Sequence, residues 1–406
     1  MRKKILFYFL CFSSSVFGTI VVVLDAIAST YTIDIWIYGN LSFVIGTLLS
    51  FMVALIFMIP VKGRPLGRMF DPNFDRIRLP TREQMRLFVA MALGNAISTV
   101  GYFYIVSATL DPSAVLPFMQ LVILYLALGE ILVEKDIPSL VEVQSLVVIV
   151  FGALLASITP TGEFDIISLV VVMTIINCGA TIRIIAQRKM RCMRIDRRRI
   201  DSINIRVWNL LFSTLFFLLI MAIYDPESIT GMFEASSMLL LITCVSMLVT
   251  FFARITYIRA LGIGRASITQ AATSLTVILG IPMTLIVNYF APGILSPVYT
   301  TPWVFLIKLI GTIMVALGIV TLALSEVRAY ILIKAPRGKG YKILRKISNI
   351  RGVVVVSALA GKYDYIVKVK LRTLGKAYRL IVRELEKIKD IEDFVWLSTL
   401  YEWEEI

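Results

Sequence analysis

The chain has 406 residues, 58% of them apolar and only 17% charged, with a formal charge of +14, and its apolar stretches repeatedly reach the roughly 20 residues that cross a bilayer. That balance makes it a polytopic membrane protein. With no histidine anywhere, His general bases, proton relays and metal ligands are excluded, and Cys11, Cys178, Cys192 and Cys244 are too scattered for a zinc site or a disulfide framework. No metal, cofactor or enzymatic constellation is expected.

In chain order, hydropathy and breakers predict ten spans near 5–25, 34–60, 84–108, 113–133, 139–159, 166–187, 204–224, 237–260, 266–290 and 302–325. The first begins like a signal peptide, but its apolar run is too long for one, so it is read as an uncleaved span. The connections alternate in charge. Residues 61–86 hold Lys62, Arg64, Arg68, Arg76, Arg78, Arg82 and Arg86, and 188–203 hold Arg188, Lys189, Arg191, Arg194, Arg197, Arg198 and Arg199, whereas 26–33, 109–112, 160–165, 225–236 and 291–301 have no Lys or Arg. By the positive-inside rule both termini are cytoplasmic in a multi-pass cell-membrane protein. Anionic lipid facing these loops accounts for the positive charge, so no nucleic-acid partner is expected.

"YIVSATLDPSA" (Tyr104 to Ala114) and "YIRALGIGRAS" (Tyr257 to Ser267) align without gaps, sharing Tyr104/Tyr257 and Ile105/Ile258 and small residues at Ser107/Ala260 and Ser113/Ala266. Five spans separate the two copies. An odd number inverts the second copy in the membrane, the arrangement that gives one scaffold equivalent outward-open and inward-open states. The expected organisation is therefore 1–160 as a first five-helix repeat, 161–326 as its inverted partner, and 327–406 as a further domain.

The stretch from Tyr102 to Ser157, with a small-residue turn, Gly129-Glu130 at the end of span four and Gly152 in span five, resembles the EamA group of the drug/metabolite transporter superfamily. The resemblance covers roughly residues 5–325. It implies transport of small organic solutes through a cavity lined by spans one, three, four, six, eight and nine. Pro282 and Met283 stand where the first copy has Gly129 and Glu130, so a role for that glutamate would not be symmetric.

Helical spacing marks polar stripes that lipid would not tolerate. Span eight carries Thr243, Ser246, Thr250, Arg254 and Tyr257; span three carries Asn95, Ser98 or Thr99, and Tyr102; span six carries Thr174, Asn177 and Thr181; span nine carries Thr269, Gln270, Thr273 and Thr276; and Gln120 follows Pro117 in span four. Each single residue could instead make an interhelical hydrogen bond; together the stripes predict a wet cavity. Its candidate substrate-binding residues are Asn95, Tyr102, Gln120, Asn177, Thr181, Thr250, Arg254, Tyr257, Gln270 and Thr273. Arg254 lies roughly 9 Å inside the inner end of its helix at about 1.5 Å per residue. It either snorkels or offers a planar fork to a carboxylate or phosphate. Arg183, Arg206 and Arg259 read as snorkelling, and Lys308 as ambiguous. Asp25 reads as lying near the outer end of span one and Asp34 at the outer start of span two. No mid-membrane carboxylate is evident, which gives weight to passive, exchange or otherwise uncoupled transport.

From Val327 the pattern becomes soluble. "RAYILIKA", "GVVVVSALAG", "YDYIVKVKL" and "IEDFVWLSTLYEWEE" alternate as strands, while "GYKILRKISNI" and "TLGKAYRLIVRELEKIK" read as helices, the second with Leu374, Tyr378, Ile381, Leu385 and Ile388 on one face. The order βαββαβ predicts an α+β ferredoxin-like sandwich. Gly352-Val353, the turn "GKYD" and "STL" resemble the RAM ligand-binding domain of leucine-responsive-regulator/AsnC proteins. That resemblance implies sheet-paired dimers binding amino acids beside the turn, with Gly361, Tyr363, Asp364, Ser398 and Thr399 as effector-site candidates. Asp364 either receives an ammonium group or only caps its turn. A sheet face carrying Tyr365, Val367, Phe394 and Trp396 is expected to be buried by homodimerisation.

The expected protein is thus an alternating-access carrier of amino acids or related small metabolites, regulated or dimerised by a cytoplasmic amino-acid-binding domain. Two alternatives stay open: a membrane-tethered sensor without transport, and a carrier of another solute with the C-terminal domain as a clamp.

Overall fold

The computed structural model describes residues 2–32, 34–109, 112–134, 140–159, 161–162, 165–195, 198–324, 327–335, 340–350, 352–371, 381–382, 384–388 and 391–398. Contacts divide the chain into two compact units, Met1–Gly129 with Ser145–Val320 and Glu130–Gln144 with Thr321–Ile406.

The first unit is helical. Its rods are α1 (Arg2–Ser29), α2 (Ile35–Met58), α3 (Arg82–Thr109), a broken rod of α4 (Pro112–Phe118) and α5 (Val122–Gly129), then α6 (Leu140–Ala156), which begins in the other unit, and a rod of α7 (Ile166–Val171) and α8 (Asn177–Cys192). They continue with α9 (Ser202–Tyr224), the short α10 (Glu227–Gly231), α11 (Ser237–Leu261), a broken rod of α12 (Ala266–Thr273) and α13 (Leu275–Phe290), and α14 (Pro302–Leu324). Among the described residues nine helical rods are long and apolar enough to cross a membrane. The fifth expected span is represented by α6, whose 17 residues fall short of the roughly 20 that fill a hydrocarbon core.

Short polar residues start these rods. Asp34, Asp165, Asp201 and Ser236 accept the orphan amide protons of Trp36, Ser168, Asn204 and Leu239. Two rods break inside the bundle. Pro117 cannot donate to the helical ladder and a 3₁₀ turn, Met119–Leu121, follows it; the second break falls at Ser274, between α12 and α13.

The rods pack in matching pairs. The first packs on α11 as α3 packs on α8, α3 packs on α9 as α11 packs on α2, and α1 meets α13 as α8 meets α5. Two crossings bring backbones together. A Cβ added at Gly94 would meet the Gly179 carbonyl oxygen at 2.5 Å, and one at Gly152 would meet the Gly311 carbonyl oxygen at 2.6 Å, so any side chain there would force the helices apart.

The basic connections do more than carry charge. The loop after α2 holds a two-residue hairpin, β1 (Pro60–Val61) and β2 (Arg64–Pro65), turned by Lys62 and Gly63 at φ 51° and 74°; the loop after α8 holds another, β3 (Arg194–Ile195) and β4 (Arg198–Arg199). Buried Asp71 pairs with Arg191 at 2.8 Å and accepts from the Ser202 backbone N–H and hydroxyl, both at 2.8 Å. Asn204 accepts from the Arg78 backbone N–H and donates to the Arg76 carbonyl, Trp208 donates to the Arg78 carbonyl, and Arg199 donates to Gly262. Arg259 donates to the Phe70 carbonyl, which removes it from the snorkelling class. The two loops are therefore tied together over one end of the bundle.

The second unit carries a four-stranded antiparallel sheet of β5 (Val327–Lys334), β6 (Val353–Ala358), β7 (Tyr365–Leu371) and β8 (Asp393–Ser398), in the order β6-β7-β5-β8. The first and third strands lie side by side in the middle, as the expected βαββαβ sandwich requires. One helix, α15 (Gly340–Ser348), joins β5 to β6, and of the second only residues 381–386 are described in part; Leu374 and Tyr378 lie outside the described residues. The expected dimer face is inverted. Tyr365 and Val367 point into the core with Ile331, Ile333, Ile343, Ile347, Ile381 and Leu385, and Phe394 and Trp396 pack against that core. Alternation sorts a strand's residues into two faces without saying which one the helices cover. The face turned from this core carries Leu332, Ile366, Val395 and Leu397, with exposed Val355 on the edge strand.

Candidate functional site

The helical unit encloses a cavity of about 220 Å³. Eight of the ten candidate substrate residues line it: Asn95 and Tyr102 from α3, Gln120 from the break after Pro117, Thr250, Arg254 and Tyr257 from α11, and Gln270 and Thr273 from α12. Asn177 and Thr181 do not. The residues of α8 that reach the cavity are Ala180, Arg183 and Ile184, with Ile176 just before the helix; one position further along an α-helix is about 100° further round, which turns Asn177 and Thr181 off the wall. Both are hydrogen-bond deficient where they lie: Asn177 Oδ1 and Thr181 Oγ1 are buried and have no partner among the described residues. Thr174 is exposed and its hydroxyl donates back to the Val170 carbonyl.

The two breaks meet at the wall. Gln120 Oε1 accepts from Gln270 Nε2 and from the Ser274 hydroxyl, both at 3.0 Å, while Gln120 Nε2 donates to Thr276 at 3.1 Å and Tyr257 donates to Gln270 Oε1 at 2.8 Å. Amide side chains thus occupy the places where the helical ladders are interrupted.

The decisive group is Asp25, which depth along its own helix assigned to the outer boundary. It is 3% exposed, lines the cavity and accepts three hydroxyl hydrogen bonds, from Tyr38 at 2.5 Å, Tyr102 at 2.7 Å and Ser246 at 2.7 Å. Ser246 lies well inside α11, so Asp25 sits inside the bundle. The ground for expecting uncoupled transport, that no carboxylate lies within the membrane part, is thereby removed. Arg183 and Arg206 are corrected in the same way: they are 6% and 4% exposed and line the cavity with Arg254 instead of reaching out to headgroups. Lys308 is fully buried and donates to the Ser113 hydroxyl at 3.1 Å, away from this wall.

The cavity therefore has two poles. Asp25 and Tyr102 line the end where α1 and α3 finish and α2 starts, with Tyr38 bonded to Asp25 behind the wall. Arg183, Arg206 and Arg254 come from three helices at the opposite end, where α8 and α11 finish and α9 starts and where the tied loops close the bundle. A carboxylate and guanidinium groups facing one small half-open space can hold a solute bearing both charges.

In the sheet unit, the turn between β6 and β7 holds Gly361, Tyr363 and Asp364. One carboxylate oxygen of Asp364 accepts the Ala335 backbone N–H at 2.8 Å, its backbone N–H donates to the Ile333 carbonyl at 2.9 Å, and its carbonyl accepts from Leu359 at 2.8 Å. Asp364 is thus a turn and strand-end anchor. Gly361 is exposed, with nothing within 4 Å of where a Cβ would stand; its backbone does not use the left-handed region, which Gly352 occupies at φ 104° just before β6. Ser398 ends β8 opposite Ala329, and Thr399 lies outside the described residues.

Residues 328–402 match the Lrp/AsnC ligand binding domain. No curated protein matches this sequence. Among solved structures, one titled only as a protein is 13% identical, covering 77% of this chain and 98% of its own, with a TM-score of 0.49. Another, PH0061, is 20% identical over 30% of this chain and 92% of its own, with a TM-score of 0.19. The chain therefore joins an apolar helical unit of the membrane-spanning kind to a small-molecule-binding domain of the Lrp/AsnC type.

Proposed function

We propose that the helical unit is an alternating-access carrier of amino acids or related small metabolites, built from two inverted repeats, and that the C-terminal unit binds an amino-acid effector and pairs two copies. The carrying observation is the two-pole cavity: Arg254 receives the α-carboxylate and Asp25, relieved by its three hydroxyl donors, faces the ammonium. At about 220 Å³ the space falls below the roughly 300 Å³ at which drug-sized sites begin, which suits a small metabolite. The inverted repeat is supported by the matching helix pairings and by breaks in both the fourth and ninth expected spans, the feature that marks substrate sites in such carriers. Arg and Lys in the tied loops support cytoplasmic termini.

For the C-terminal unit, the Lrp/AsnC match supports effector binding beside Gly361 and Asp364, and the half-buried apolar residues Leu332, Ile366 and Val395 with exposed Leu397, on a sheet face that also carries Tyr330 and Lys368, support pairing. The test of the carrier is amino-acid flux into proteoliposomes by the full chain and by Asp25→Asn and Arg254→Met. Flux that depends on both residues supports the reading. Binding without flux identifies a membrane-tethered sensor instead.

A further inference from the structure

The charges in the cavity do not balance for a neutral amino acid. Its charged lining residues are Asp25, Arg183, Arg206 and Arg254, three cations against one anion. Asp25 is held by hydroxyls and lies within electrostatic reach of Arg254, but among the described residues no carboxylate lies within ion-pairing distance of any of the three guanidiniums. Arg183 and Arg206 are each more than nine-tenths buried, and their Nε atoms have no hydrogen-bond partner among the described residues. Each is within electrostatic reach of Arg254, and Arg206 also of Arg183, so the like charges oppose one another. A buried guanidinium without a counter-ion is costly, and three together on three separate helices more so. An arrangement of that cost persists where an anion completes it.

A zwitterion contributes no net charge and one carboxylate, which a single Arg fork can hold. Two guanidiniums then remain. We infer that the solute carries a further negative group beyond its α-carboxylate, held by Arg183 and Arg206: an acidic amino acid, with a carboxylate or a phosphate on its side chain. This rests on the reading of the cavity as an amino-acid site. A side-chain carboxylate between Arg183 and Arg206 offsets one of their two charges and a phosphate nearly both, while the ammonium stays at Asp25.

The test is calorimetric binding to the full chain in detergent, with L-glutamate, O-phospho-L-serine, L-glutamine and glutarate as probes. L-glutamate or O-phospho-L-serine should bind at least about tenfold more tightly than L-glutamine, and the tighter of the two tells carboxylate from phosphate. Arg183→Gln and Arg206→Gln should each bring that ratio towards one while L-glutamine still binds. Arg183→Lys and Arg206→Lys, which keep the charge, should retain most of it and show that loss is not unfolding. Parity of L-glutamine with both anions, or a ratio unchanged in the Gln variants, overturns the second-anion site and leaves the amino-acid reading standing. Binding of glutarate with no amino acid binding overturns the amino-acid reading and leaves the anion site.

Discussion

The two units handle buried polarity in opposite ways. Inside the helical unit, the Nε atoms of Arg183 and Arg206 are buried beside a cavity without partners among the described residues, and Asp25 at the same cavity accepts three hydroxyl hydrogen bonds from other helices. In the sheet unit the comparable carboxylate, Asp364, sits in a turn and spends an oxygen on its own backbone. On the proposed reading, the first site would meet its solute with charged groups already in place. At the second, the same reading would need a pairing sheet to complete a ligand site, because Asp364 already serves its turn.

Four perturbations sharpen this contrast. The largest effect is expected from Arg254→Met, which keeps length and removes the fork: solute binding should weaken by about 2–5 kcal/mol, measured calorimetrically, with flux lost in parallel. Flux unchanged from the parent chain would return Arg254 to a purely structural role. Comparable in size is the effect of Asp71→Asn in the tied loops. Leaving buried Arg191 uncompensated should cost about 3–5 kcal/mol of stability, read from thermal unfolding in detergent.

A smaller effect is expected from pH. Burial pushes the Asp201 carboxyl up to about 6 from its ordinary 3.8, with Asn204 amide bonds opposing and Asp71 adding to the rise. Because the folded value is the raised one, the contribution is fully present below about pH 4 and is lost as pH climbs through about 6, at no more than about 1.4 kcal/mol per unit. Asp201→Asn, still a good helix cap, should flatten that segment of a stability-against-pH curve. A chain without histidine makes the segment easy to assign. The smallest structural effect belongs to Asp364→Ala: about 1 kcal/mol for the lost bond to Ala335, together with loss of any amino-acid effect on transport rate.

The spans were legible because lipid imposes long apolar runs, and the polar stripes because helical spacing gathers residues on one face; eight of ten candidates reached the cavity on that signal alone. What stayed hidden depends on neighbours. Asp25 is close to the end of its own rod yet inside the bundle, because rods of different start points overlap in depth. Arg183 and Arg206 look like headgroup anchors by depth, and only α9 and α11 standing around them show that they point inward. Asn177 and Thr181 were misjudged by one helical position, and Tyr365 and Val367 by the sign of the strand's alternation. In each case the period was readable and the phase was not, since phase is set by contacts far away in sequence.

The crossings of Gly94 with Gly179 and of Gly152 with Gly311 have a mechanical consequence. Most helix pairs mesh like gears, side chain between side chains, and turning one past another requires many rotamers to change together. Where backbone rests on backbone there are no teeth. Such a contact resists being wedged, and a roll about it meets only the Cβ atoms that flank it, those of Ser98 and Ile182 at one crossing and of Leu155 and Met314 at the other. Each crossing is a bearing surface, and its tolerance is less than a single methyl group.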